Sequence, residues 1–207
     1  MKRKLTKEDR CPRCFSMKIS CFCQDLQLVY SKISWSIVMH RREFYLSSNT
    51  GRLAQNTLPN CDIYLRGDQD NPIDWSLVLP SQKKCYFLYP SEDAVDLSEL
   101  RDIPTSKLHF IVPDGSWNQA KKVHKREPAL QNIPCVKLPE RNYISNYHCR
   151  KQPRPNFLCT YESMGKVIEE LEGSQEQEKL NHNLKVLTTT SLKNRRHFSS
   201  KILELNL

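Results

Sequence analysis

The chain has 207 residues, near the common size for one catalytic domain and enough to bury a core around a preorganised pocket. Lys and Arg outnumber Asp and Glu 32 to 23, so nucleic acid is the first partner to consider, with an ordinary basic soluble protein as the plainer reading. No apolar run approaches the roughly 18 residues of a membrane span, and the basic start, residues 1–8, is followed by no signal-peptide core, so a soluble, cytoplasmic protein is expected.

Nine cysteines would suit a disulfide framework in a secreted chain. Four of them instead form one cluster and five are scattered, which fits a reducing compartment with one metal site. Cys11 and Cys14 form a Cys-x-x-Cys knuckle, and Cys21 and Cys23 supply a second pair. Together they can close a tetrahedral site, for which zinc is the best-matched metal. Four free thiols in a leader are the plain alternative, and an iron–sulfur centre lacks a partner motif for redox chemistry. With every position filled by protein, such a zinc is structural, and catalysis belongs elsewhere.

After the cluster the pattern becomes strand-like pieces alternating with helix-like ones, which predicts an α/β domain over 34–207 behind a zinc-bearing leader over 1–33. Strands are expected at Trp35–His40, Asp62–Arg66, Lys84–Tyr89, Leu108–Pro113 and Cys135–Leu138, several of them buried and parallel. Helices are expected at Thr50–Leu58, opened by Asn49, at Glu92–Leu100, and at Ser116–Arg126, capped by Asp114 or Ser116. Thr160–Glu172 is the clearest amphipathic helix, with Met164, Val167, Ile168 and Leu171 on one face and Thr160 as a candidate cap. A last helix is expected from Glu176 to about Phe198. Between the strand at 135–138 and the amphipathic helix, residues 139–155 carry no periodicity and read as a long functional loop.

Polar clusters fall at the predicted strand ends and helix starts: His40 to Glu43, Ser48 to Arg52, Tyr89 to Ala94, Asp114 to Ala120, and Leu158 to Ser163. Strand C-termini are where ligands bind in α/β sheets. In this order the five clusters resemble the DTW-domain family of tRNA-uridine aminocarboxypropyltransferases, and the cysteine cluster resembles the zinc knuckle many members carry. The match runs from about Cys11 to Gly173. Two departures are Ser116, where the family pattern has Thr, and Tyr161-Glu162-Ser163, where an apolar residue, Glu and Ala are more usual.

The resemblance implies a SPOUT-like, mostly parallel α/β fold with a C-terminal knot that forms the cofactor pocket. It also implies a reaction in which the 3-amino-3-carboxypropyl group of S-adenosylmethionine moves to N3 of a tRNA uridine, leaving methylthioadenosine, with no membrane and no protein partner implied. Methyl transfer from the same cofactor, and a noncatalytic zinc-containing RNA-binding protein, are the rival readings.

N3 of uridine must lose its proton as it attacks, so a base is needed beside it, and Asp114 is the candidate, with an N-cap role as its alternative. Ser116 could donate to a uracil carbonyl, and Trp117 could stack on the base or pack in the core. The cofactor carboxylate needs a cation or a helix N-terminus, for which Arg52, in the turn with Asn49 and Thr50, is the most attractive choice, although that turn could instead hold phosphate. Tyr89, Pro90, Ser91, Leu158, Thr160 and Glu162 resemble loops around adenosine. For RNA contact the expected residues are Lys121 and Lys122, which a solvated helix face explains almost as well, and Arg141, Tyr147, Arg150, Lys151 and Arg154 in the basic loop, which the loop's position leaves without another explanation.

Overall fold

The structure, a computed structural model, describes residues 7–68, 70–149 and 156–203, and the side chains of these except Lys7, Trp117, Asn118 and residues 196–203. Six strands, β1 (Ser34–His40), β2 (Cys61–Arg66), β3 (Lys84–Leu88), β4 (Val95–Asp96), β5 (Leu108–Asp114) and β6 (Cys135–Lys137), form one sheet in the order β2-β1-β5-β3-β6-β4. Every pairing is parallel. The helices are α1 (Arg41–Phe44), α2 (Thr50–Thr57), α3 (Trp75–Val78), α4 (Trp117–Arg126), α5 (Thr160–Glu172) and α6 (Gln177–Leu203).

Alternation along the strands splits the core into two layers. Trp35, Ile37 and Met39 of β1 and Phe110 and Val112 of β5 face one cluster, shared with Leu53 and Ala54 of α2, Met164 and Val167 of α5, and Leu180, Leu184 and Leu187 of α6. Val38, Ile111 and Phe87 face the other, with Val123 of α4 and Val78 of α3. The sheet is thus covered on both sides, as a parallel sheet requires. Cys11, Cys14, Phe22, Val29 and Ile33 belong to the first cluster, so the segment carrying the cysteines packs on the same core as the strands. Asn183 of α6, fully buried, holds it there through both backbone groups of Gln27, each at 2.8 Å, and reaches the Tyr161 hydroxyl at 3.1 Å.

The five expected strands appear within a residue of their expected ends. The helix expected at Glu92–Leu100 does not form: Val95 and Asp96 pair with β6, and Leu97–Leu100 is a 3-10 turn started by Asp96, whose carboxylate accepts from the Ser98 N–H at 2.9 Å. Leu97 and Leu100 are both buried by that turn. Val136 of β6 pairs with Leu88 on one side and Val95 on the other. The six residues 89–94 therefore carry the chain from one neighbour of β6 to the other.

At the N-terminal side of the sheet, His109 is 4% exposed and bonded through both ring nitrogens, to Ser34 Oγ at 2.7 Å and Ser36 Oγ at 3.0 Å. Burial pushes its pKa down to about 4, and the charge of Lys83, which donates to Ser34 at 2.8 Å, acts in the same direction. A depressed imidazole pKa means that the unfolded state binds the proton first. Stability contributed by the neutral ring is present above about pH 6.5 and is lost as pH falls toward 4. The melting temperature should drop across that window, and His109→Gln should flatten this part of the profile; an unchanged slope in the variant would remove His109 from the account.

Candidate active site

A cleft of about 1360 Å³ opens where the C-terminal ends of β3, β5 and β6 meet the segment before α5. That volume exceeds the usual small-molecule pocket, so it has room for a cofactor together with part of a second substrate. Its walls include Ser48 to Thr50, Tyr89 and Pro90, Val112 to Ser116, Lys121, Val136 to Tyr143, and Asn156 to Thr160.

Asp114, the last residue of β5, lines the cleft and is 8% exposed. The Asn49 amide donates to one carboxylate oxygen at 2.7 Å, and the Thr160 hydroxyl donates to the other. Asn49 has two jobs, since its side-chain oxygen also accepts from the Arg52 N–H at 2.7 Å and so caps α2. Gly51 makes the approach possible: a Cβ there would stand 3.2 Å from the Asp114 carboxyl carbon and 2.9 Å from the Met39 methyl. The N-terminal end of α2, with its partial positive charge, is thereby brought against a carboxylate.

Ser116, not Asp114, caps α4. Its hydroxyl accepts from Gln119 N–H at 3.3 Å, and the Gln119 side chain accepts from Ser116 N–H at 2.7 Å. Gly115 between them sits at φ 152°, and a Cβ would meet the Gln119 oxygen at 2.7 Å, so glycine is required where β5 turns into α4. Trp117 is the first residue of α4, and its side chain lies outside the described ones.

The cap of α5 also differs from expectation. Cys159, not Thr160, is the N-cap, and Glu162 three residues on accepts from Cys159 N–H at 2.9 Å, which frees the Thr160 hydroxyl for Asp114. The same Glu162 carboxylate accepts from Ser145 Oγ at 2.8 Å and from Asn146 N–H at 2.6 Å. One carboxylate thus holds both the start of α5 and the loop after β6. Tyr147, expected to meet RNA, is 5% exposed, and its hydroxyl donates to the Ser48 carbonyl at 2.6 Å, so its ring fixes the loop to the segment before α2.

Arg141 lines the cleft and pairs with Glu170 at 3.1 Å, an anchor that Glu170 shares with Arg101. Lys121 lines the cleft, while Lys122 is exposed on α4 outside it. Arg150, Lys151 and Arg154 lie outside the described residues. Of the residues expected around adenosine, Tyr89, Pro90, Leu158 and Thr160 line the cleft; Ser91 and Glu162 do not. Lys137, Asn142 and Asn156 line it without having been singled out for the site, because they follow no motif and depend on how distant segments meet.

Arg52 does not line the cleft. Its guanidinium, 4% exposed, is sandwiched between the rings of Phe15 and Phe44, 3.9 Å from each centroid, and Nη1 reaches the Arg13 carbonyl at 3.5 Å. The side chain expected to grip a cofactor carboxylate turns from the α2 start toward the cysteine knuckle.

In the knuckle the Cys11 and Cys23 sulfurs are 3.8 Å apart and those of Cys14 and Cys21 3.9 Å, with all four sulfurs within 4.8 Å of one another. A tetrahedral zinc with bonds of about 2.3 Å needs sulfurs about 3.8 Å apart, so the residues fit that ion. Burial pushes the Cys23 thiol up, with the charge of Cys14 adding to it, as expected for a sulfur that needs a cation beside it to stay ionised.

A parallel α/β domain with a ligand cleft at the C-terminal edge of its sheet, carrying a four-cysteine knuckle on its core, is the class this architecture defines. Residues 8–192 match the family described as the DTW domain, and the chain belongs to that family. It is similar to tRNA-uridine aminocarboxypropyltransferase 2 of Drosophila melanogaster, 30% identical over 178 residues, which cover 82% of this chain and 69% of that protein. The proteins of the same name from Macaca fascicularis and Mus musculus are each 27% identical, over 168 and 169 residues, covering 78% of this chain and 56% of each relative. The chain therefore spans little more than half the length of those two mammalian relatives. No solved structure matches it.

Glu162→Ala removes the acceptor for three donors at once. Hydrogen bonds to a charged group are each worth about 1.5–3 kcal/mol, and with partial rescue by water the loss of stability should reach at least about 2 kcal/mol in chemical denaturation; a loss below about 0.5 kcal/mol would mean the clamp contributes nothing.

Proposed function

We propose that the chain transfers the 3-amino-3-carboxypropyl group of S-adenosylmethionine to N3 of a uridine in tRNA and releases methylthioadenosine. Membership of the DTW family and the names of its relatives support this reading. The structural observation that carries it is a carboxylate at the C-terminal end of a central strand, held by Asn49 and Thr160 inside a cleft large enough for two ligands.

Asp114 accepts the N3 proton as that nitrogen forms its bond to the γ-carbon of the donor. The carbon–sulfur bond breaks with its electron pair going to sulfur, so the positive sulfonium leaves as a neutral thioether. Ser116 accepts from the Gln119 N–H, which keeps its own O–H available to donate to a uracil carbonyl. Trp117 follows it in sequence as a stacking candidate. Asn49 and Thr160 orient the base rather than touch the substrate.

The carboxylate of the donor must be gripped so that the γ-carbon, not the methyl, meets the nucleophile. With Arg52 turned away, the cations that line the cleft among the described residues are Lys121, Lys137 and Arg141. Tyr89, Pro90, Leu158 and Thr50 supply wall on which adenosine can pack. Arg141, Lys121 and Lys122, with Arg150, Lys151 and Arg154, give the tRNA a basic approach, in keeping with a net charge of +9. Zinc at Cys11, Cys14, Cys21 and Cys23 would order the knuckle and supply no step.

The SPOUT-like reading of the fold is supported by β6, made late in the chain, lying between β3 and β4, and by the return of the following segment to Ser48 and Asp114. Among the described residues no helix is long and apolar enough to cross a membrane.

Incubation with tRNA and S-adenosylmethionine should yield methylthioadenosine and a tRNA heavier by the aminocarboxypropyl group, read by mass spectrometry. Adenosylhomocysteine with methylated tRNA would replace this reading by methyl transfer, and tRNA binding without turnover would leave an RNA-binding protein. Asp114→Asn should lower the turnover rate about 10²- to 10⁴-fold while cofactor affinity changes little.

A further inference from the structure

Arg52 is a cation without a task in the reaction above. Both faces of its guanidinium are covered by Phe15 and Phe44, and Nε and Nη2 are buried with no hydrogen-bond partner among the described residues. A charge taken out of water in this way needs a compensating charge. The surroundings offer one: Arg52 Nη1 and Asn56 Nδ2 both donate to the carbonyl of Arg13, between Cys11 and Cys14, and the Cys14 charge acts on Arg52 to favour its protonated form against the burial that pushes its pKa down to about 10. Four thiolates around one divalent ion carry a net charge of −2, and partners outside the ligand set fix and tune such a centre.

We propose that Arg52 is the counter-charge of the metal-loaded cysteine knuckle and a positioning residue that links metal occupancy to Asp114. The path is short. The Arg52 side chain sits on the knuckle, its backbone N–H donates to Asn49 at 2.7 Å, and the Asn49 amide donates to Asp114 at 2.7 Å. A knuckle without its ion leaves Arg52 an uncompensated buried cation, and relief of that cost moves the first turn of α2, which carries the cap that holds the carboxylate. The inference rests on the proposed reaction only for the chemical role of Asp114; the metal readout is independent of it.

The test uses the full chain loaded with zinc. Zinc release to a chromogenic chelator is timed for wild type, Arg52→Leu, Arg52→Gln and Arg52→Lys, with folding checked by near-ultraviolet circular dichroism. Loss of a partner outside the ligand set typically weakens metal binding about 10- to 100-fold, so Leu and Gln should release zinc at least about tenfold faster than wild type and Lys should stay close to it. If Arg52→Leu does not fold, the Gln and Lys pair decides.

In parallel, amide hydrogen exchange at residues 49–53 of wild type should quicken when zinc is stripped, and in Arg52→Gln it should be fast with or without zinc. Wild-type release rates in the neutral variants, equal rates for Gln and Lys, exchange at 49–53 indifferent to zinc, or a chain that takes up no zinc would each overturn the proposal.

Discussion

The cleft depends on the contact between the first turn of α2 and the end of β5. Helix and carboxylate meet there because Gly51 has no Cβ, because Asn49 turns one amide group to both, and because Thr160 closes the other side of Asp114. Residues 49, 114 and 160 come from three separate parts of the chain, and their meeting converts a parallel sheet into a site. A carboxylate held by two donors and a nearby helix end has one orientation, and orientation is what a transfer between two bound ligands demands.

The walls are organised by the same economy of means. Glu162 starts α5 and holds Ser145 and Asn146, while Tyr147 crosses to Ser48. The loop after β6 is therefore part of the wall and not a free arm, although it reads as irregular in sequence. Arg141, on the described part of that loop, lines the cleft and is tied back to Glu170.

Strand positions were legible because a buried parallel strand must be a short apolar run, and β1 and β5 are unmistakable examples. Asn49 was legible as the α2 cap because a short polar side chain before a helix can accept from its free N–H groups, and Asp114 stood out because ligands in an α/β sheet gather at strand C-termini. What could not be read was anything set by distant partners. Residues 92–100 look helical until β6 offers Val95 and Asp96 an edge to pair with. Arg52 looks like a ligand-gripping arginine until Phe15 and Phe44, separated from each other by 28 intervening residues, are seen to close on it. Thr160 looks like a cap until Cys159 takes that place and Asp114 takes its hydroxyl.

The placement of β6 between β3 and β4 has a consequence for synthesis. Strands β1 to β5 leave the ribosome before the segment that must lie inside their sheet, so the neighbours of β6 cannot reach their final spacing until residues 135–137 arrive. The connection 89–94 has to stay open meanwhile. Its length is then constrained by assembly as well as by the cleft it borders: a deletion that the finished fold could accommodate can still bar the way for the strand that comes last.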